Sequence, residues 1–197
     1  MKAEPEPLHQ TPLRVRAADV QAAMTVLGRR PAAAGEERLE LSNVDLRVAY
    51  LSRTDLSDAH LWWSNLRGAF LSDARLVGTD FWRSDLWRVE LRRADLQGAR
   101  FIRANLEGAE LWEARLARAV LRHAGLQGAE LQHADLREVD LRWADLRDAN
   151  LEEAILDGAD LEGAKLEGAR LKGARADHRT KWPSGFDWRA SGIQAPQ

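Results

Sequence analysis

Eight tryptophans are many for a chain of 197 residues, and their spacing says more than their number. Trp62 and Trp82 stand twenty residues apart, and the same interval leads on to Ile102, Arg122 and Arg142. One position later the series reads Trp63, Arg83, Arg103, His123 and Trp143. If twenty residues return the chain to the same place on its surface, these side chains make one aromatic and cationic strip several layers tall. Indoles and guanidinium groups held together gain about 0.5–1.5 kcal/mol per contact from ring-edge and cation–π attraction. Trp and Arg also carry much of the energy of protein contact surfaces. The chemistry implied is recognition, with Trp62, Trp63, Trp82, Arg83, Arg103, Arg122 and Trp143 as candidate partner-binding residues. A surface ladder that only stabilises itself would need the same residues.

Carboxylates recur at the same interval. One column reads Glu90, Glu110, Glu130, and another Asp45, Asn65, Asp85, Asn105, Gly125, Asp145. The candidate acidic ladder is therefore Asp45, Asp85, Glu90, Glu110, Glu130 and Asp145. Like charges on adjacent strands repel mildly, and Arg88, Arg92 and Arg93 lie close enough to screen them. Charge is banded along the chain: residues 82–122 hold nine Arg against six acids, and residues 145–168 hold eight acids against two bases.

Catalysis finds no support in the sequence. There is no nucleophile elbow, phosphate-binding loop, dinucleotide glycine motif or zinc-protease motif. His123 and His133 are half of a twenty-residue turn apart, which puts them on opposite sides, and His60 belongs to another column. No cofactor and no metal is expected, and the protein is read as a non-enzyme. The 29 basic residues almost balance the 31 acidic ones, for a net charge of −2, and Arg is interleaved with acids throughout. Direct nucleic-acid binding is not expected from that pattern. Cysteine is absent, so disulfides and thiolate chemistry are excluded. No apolar run approaches the roughly 20 residues of a membrane span, and the first residues do not read as a secretory signal, so the expected location is cytoplasmic.

The elements that must position these columns follow from a period of five. Every fifth residue from Leu41 to Leu171 is Leu or Phe, 27 positions in all, including Leu61, Phe81, Phe101, Leu121, Leu141 and Leu161. The position two residues before each is Ala in 19 cases, the exceptions being Leu39, three Val, two Thr and two Ser. An α-helix would wind such a series around all its faces, and a straight strand would throw alternate members to opposite sides. A chain that turns a corner every five residues can point all of them inward. Four corners close a square coil of twenty residues, and coils stack through backbone hydrogen bonds about 4.8 Å apart. Nine of the 14 glycines lie two residues after a central Leu or Phe, where such a corner favours positive φ.

The runs Ala94-Asp95-Leu96, Ala104-Asn105-Leu106, Ala134-Asp135-Leu136 and Ala144-Asp145-Leu146 resemble the pentapeptide repeat family. That resemblance implies an all-β fold, a right-handed quadrilateral parallel β-helix, here a solenoid of about seven coils with a short N-terminal capping helix. It also implies a function in protein–protein contact. Some members are DNA mimics that protect or inhibit DNA gyrase and confer antibiotic or toxin resistance, so the resemblance brings gyrase in as an alternative partner. Those members dimerise through a long C-terminal helix, which this sequence lacks.

The organisation expected is a flexible tail over 1–18, a capping helix and linker over 19–38, the β-helix over 39–176, and a C-terminal cap and tail over 177–197. Asp19 suits a helix N-cap, Val20, Ala23, Met24 and Leu27 keep helical spacing, and Gly28 suits the stop. Such a helix would cover the open first coil and blunt its edge. At the other end Trp182, Phe186 and Trp188 are placed to fold back over the last coil.

Overall fold

In the computed structural model the described residues are 38–194, and each five-residue unit supplies one side and one corner of a coil. The corner is a β-turn. The N–H of Ala49 donates to the carbonyl of Leu46 at 3.1 Å, and the same bond recurs down the chain to Ala174 and Leu171 at 3.0 Å. The second turn residue takes positive φ at every corner from Asn43 to Gly173, the pattern of a type II turn. The nine glycines anticipated for these corners all stand there, and so do eighteen residues that carry a Cβ.

Coils stack in a register of twenty. Parallel bridges join Glu40 to His60, Asp45 to Asn65 and so on to Ile155 with Arg175. Between neighbouring coils Leu46 N–H donates to the Asn65 carbonyl at 2.7 Å, and Asn65 N–H returns to the Val44 carbonyl at 2.9 Å. Each side contributes a single bridging residue before the next turn, so the β structure consists of isolated bridges instead of continuous strands. A side of one bridge is all that a corner every five residues allows. The one helical segment among the described residues is a 3-10 turn, Trp188–Ser191, capped by the Asp187 carboxylate and closed by Gly192 at φ 75°.

Inside the coils the central residues meet. Leu61, Phe81, Phe101, Leu121, Leu141 and Leu161 are all buried, and the rings of Phe81 and Phe101 stack with centroids 4.8 Å apart. Burying a Leu or Phe contributes roughly 1.5–3 kcal/mol before conformational entropy is set against it. Leu41 departs from the expected core: it is half-buried, and it packs against the cluster from the first coil, where no described coil lies beneath it. Where Ser or Thr replaces the small Ala, the hydroxyl finds a carbonyl. Ser64 donates to Leu41 at 2.6 Å, Thr79 to Leu56 at 2.8 Å, and Ser84 to Leu61. A buried hydroxyl therefore adds an inter-coil bond that offsets the cost of taking it out of water.

Past Ala176 the chain leaves the period. Lys181 still bridges Asp160, and Gln194 bridges Arg175. Trp182, Phe186 and Trp188 between them are partly buried against the core cluster. The expected helix over 19–27 and the tail before it lie outside the described residues. No helix among the described residues is long and apolar enough to cross a membrane.

Candidate interaction surface

The twenty-residue register brings both tryptophan series to one corner of the coil. Trp62, Trp82, Ile102, Arg122 and Arg142 occupy its first turn position, and Trp63, Arg83, Arg103, His123 and Trp143 its second. The contacts there differ from a simple stack of Trp62 on Trp82. Trp62 lies against His60, with ring centroids 4.6 Å apart and planes 21° from parallel. It is Trp63 that meets Trp82, edge to face, at 5.3 Å and 88°. The Arg83 guanidinium sits 4.8 Å from the Trp63 ring centre and 4.9 Å from that of Trp82. Trp82 is buried and Trp63 is 37% exposed, so the cluster shows solvent one indole and one guanidinium over an apolar floor.

The reason for the offset is local. Side chains at the second corner position lean toward the next coil, as Trp143 shows by covering Gly163. A Cβ built on Gly163 would collide with the Trp143 ring. Trp143 is thus 57% exposed but turned away from the Trp63 cluster, and the expected strip divides in two. Its lower half is aromatic with Arg83 and the exposed Arg103. Its upper half is ionic: Asp140 binds Arg122 at 2.5 Å and Arg142 at 2.8 Å. Burial pushes the Asp140 carboxyl up, but hydrogen bonds from Arg142 and Arg122 outweigh it and hold the group below its ordinary value.

The acidic columns stand in the expected register, and five of the six candidate carboxylates, those of Asp45, Asp85, Glu110, Glu130 and Asp145, are engaged. At the bridging position an Asp or Asn side chain accepts the N–H of the following corner residue, as Asp45 does from Arg47 at 3.3 Å, Asp85 from Trp87 at 3.1 Å and Asp145 from Arg147 at 3.3 Å. This Asx contact fixes the entry to the turn. Cations cover the outer oxygens: Arg47 on Asp45 and Arg147 on Asp145 at 2.6 Å, and Arg67 on Asp85 at 3.0 Å. Arg92 pairs with Glu110, and Glu130 accepts from Gln132 at 2.7 Å and from Asn150 at 3.2 Å. Glu90 bridges Phe70 on one side and Glu110 on the other. The hydrogen bond from Arg147 depresses the Asp145 carboxyl, as that from Arg137 does for Asp135.

Two further aromatic groups were not anticipated, although each was visible at the twenty-residue interval. Tyr50 and Phe70 stack at 4.7 Å, with Tyr50 mostly exposed. Trp87 lies between the guanidinium groups of Arg67 and Arg88, each 4.5 Å from its ring centre. His123 and His133 stand on opposite corners, and no group of three His, Asp or Glu among the described residues is placed to hold a metal ion.

The pentapeptide repeat family model matches residues 39–73, 71–108, 99–137 and 134–173, together more than half of the chain. The protein belongs to the pentapeptide repeat family. Membership implies a right-handed β-helix solenoid for the coil described above. Among solved structures, alr5209 from Nostoc PCC 7120 is 37% identical over 54% of this chain and 84% of its own, with a TM-score of 0.41. HetL from Nostoc sp. strain PCC 7120, involved in heterocyst differentiation regulation, is 33% identical over 79% of this chain and 82% of its own, with a TM-score of 0.31. Full-length QnrB1, a plasmid-mediated fluoroquinolone resistance protein, is 17% identical over 80% of this chain and 84% of its own, with a TM-score of 0.39. No curated protein sequence matches the chain.

Proposed function

We propose that this pentapeptide repeat protein is a non-enzymatic scaffold that binds a protein partner through the corner built by Trp62, Trp63, Trp82, Arg83 and Arg103. The observation that carries the reading is Trp63. Its backbone is held at φ 56°, a left-handed conformation that costs a residue with a Cβ about 1–2 kcal/mol, and glycine fills nine equivalent corners. An indole kept there, exposed and braced by Arg83 and Trp82, is a rigid aromatic anchor of the kind that dominates binding hot spots. The coil interior is filled by Leu, Phe and Ala, so the outer corners are where chemistry varies.

Against a DNA-like acidic surface stand the arginines that cover four of its six candidate carboxylates, Asp45, Asp85, Glu110 and Asp145. DNA gyrase therefore enters as one partner to be tested and not as the leading one. The experiment is capture of partners from the source cell on wild-type protein and on Trp63→Gly, followed by direct titration of each captured protein in purified form. A partner that binds wild type at least about tenfold more tightly than the variant, the scale of a hot-spot loss, supports the assignment. Equal binding by both overturns it. A supercoiling assay run beside it tests gyrase: neither inhibition nor rescue from a poison removes that reading.

A further inference from the structure

Far from the Trp63 corner, the last coil is covered on only part of its rim. Lys181 N–H donates to the Ala159 carbonyl at 2.9 Å and Gln194 N–H to the Ala174 carbonyl at 2.8 Å, as a further coil would. Between them the chain turns aside, through a bond from Phe186 N–H to the Pro183 carbonyl and then the 3-10 turn. The side 164–168 is left without a backbone neighbour. Among the described residues nothing bonds to the N–H groups of Leu166 and Gly168 or to the Ala164 carbonyl. One coil earlier the same three positions are filled: Leu146 N–H donates to Lys165 at 2.9 Å, Asp148 N–H to Glu167 at 3.0 Å, and Lys165 N–H to the Ala144 carbonyl at 3.0 Å. The open side borders a cavity of about 330 Å³, walled by Ala164 and Leu166 of the coil and by Pro183 and Phe186 of the cap. Ala164 and Leu166 are each 7% exposed, where Ala144 and Leu146 beneath them are at 0%, so the cover is thinnest here. Both corners of this side are glycine, Gly163 and Gly168, and no corner side chain leans across the edge.

We propose that this side accepts an extended segment of a protein partner, paired in parallel, that carries an acid or amide, an apolar residue and a base in succession. An unpaired sheet edge takes up a strand through main-chain bonds, and the side-chain positions then select its sequence. The register of twenty sets that selection. The first residue of the segment lies over Lys165, with its N–H on the Ala164 carbonyl and its own carbonyl on the Leu166 N–H. The second points into the cavity above Leu166, as Leu166 stands above Leu146. The third lies over Glu167, with its carbonyl on the Gly168 N–H. Charge alternates up these columns: Lys165 follows Asp145, 3.8 Å away, and Glu167 follows Arg147, whose charge it stabilises. Continuing the alternation puts an acid or amide over Lys165 and a base over Glu167, each an opposite-charge pair on adjacent strands.

The probe is the capped peptide Thr-Asp-Leu-Arg-Thr, added to the isotope-labelled full chain and followed through the amide resonances. Saturable shifts of the Leu166 and Gly168 amides at about millimolar peptide, the scale for a short segment whose ordering offsets much of the gain, support the site. Methylation of the peptide's Asp nitrogen removes the donor to Ala164 and is expected to weaken binding roughly tenfold. The reordered peptide Thr-Arg-Leu-Asp-Thr, identical in composition, is expected to bind less well than the first. Glu167→Lys is expected to weaken the Asp-Leu-Arg peptide about threefold or more and to favour an Asp-Leu-Glu version instead. No saturable shift, equal binding of the two orders or of the methylated peptide, or indifference to Glu167→Lys overturns the proposal. Leu166 and Gly168 amides that resist hydrogen exchange before peptide is added overturn it too, because the edge would already be covered. So do shifts that grow with protein concentration alone, which would give the edge to a second copy. Trp63→Gly is expected to bind the peptide as the wild type does, and loss of binding there would move the site to the other corner and overturn this one. The edge and the Trp63 corner therefore stand or fall separately.

Discussion

At the scale of single residues, the corner position decides most of what is unusual here. Among the described residues eighteen side chains sit where φ is positive, and the two tryptophans among them are the bulkiest. Trp63→Gly removes an indole and relieves backbone strain together, so denaturant unfolding is expected to shift by less than about 1 kcal/mol. A loss above about 3 kcal/mol would mark Trp63 as a structural pillar instead. Gly163 is the reverse case. Alanine there meets the Trp143 ring and takes φ 69°, so Gly163→Ala is expected to destabilise by roughly 1–3 kcal/mol and to change the Trp143 fluorescence. The sequence placed these residues in columns because twenty residues make one turn of the coil. It did not say that Trp63, and not Trp62, meets Trp82, because the lean of a side chain toward the next coil comes from the turn's backbone angles and not from spacing.

At the scale of the repeating element, an Asp or Asn in the position before the central Leu or Phe works as a local acceptor. Asp145 receives the Arg147 N–H and also the Arg147 guanidinium at 2.6 Å. Asp145→Asn keeps the backbone acceptor and is expected to cost little, whereas Asp145→Ala is expected to lose about 1 kcal/mol in unfolding experiments. Spacing had shown these carboxylates as a charge ladder, since a column of Asp reads as repulsion until each side chain is seen folded onto its own corner. The pH dependence follows. The carboxyls of Asp73, Asp135 and Asp145 lie below their ordinary 3.8 because Arg93, Arg137 and Arg147 hydrogen-bond to them. A depressed carboxyl adds stability that is present above the unfolded value and is lost as pH falls through the folded one. Stability measured by denaturant is therefore expected to stay level from neutral pH to about 5 and to fall below about 4. These pairs are largely exposed, so the fall is modest and shrinks with added salt. A stability that rises on acidification would contradict the pairing.

At the scale of the whole molecule, the period of five was enough to read the coil, its core and its corners. No other regular backbone hides 27 apolar residues at that interval. Legibility ends where the period ends. Residues 177–194 follow no repeat, and their course depends on Trp182, Phe186 and Trp188 finding the last coil, which is a tertiary event. A corner that recognises a partner is less legible still, because Trp and Arg stack equally well for stability and for binding. The aromatic cluster stands in the coils nearest the N-terminal end, and the most acidic stretch, residues 145–168, lies toward the other. A partner engaged at Trp63 is thus expected to lie along the first half of the rod. Photo-crosslinking in living cells tests this most directly, with a photoreactive residue placed in turn at the positions of Trp63, Arg103 and Glu113, the last on a different corner. The account predicts one covalent partner adduct shared by positions 63 and 103 and absent from 113. Adducts of equal yield at all three, or an adduct from position 113 alone, would contradict it.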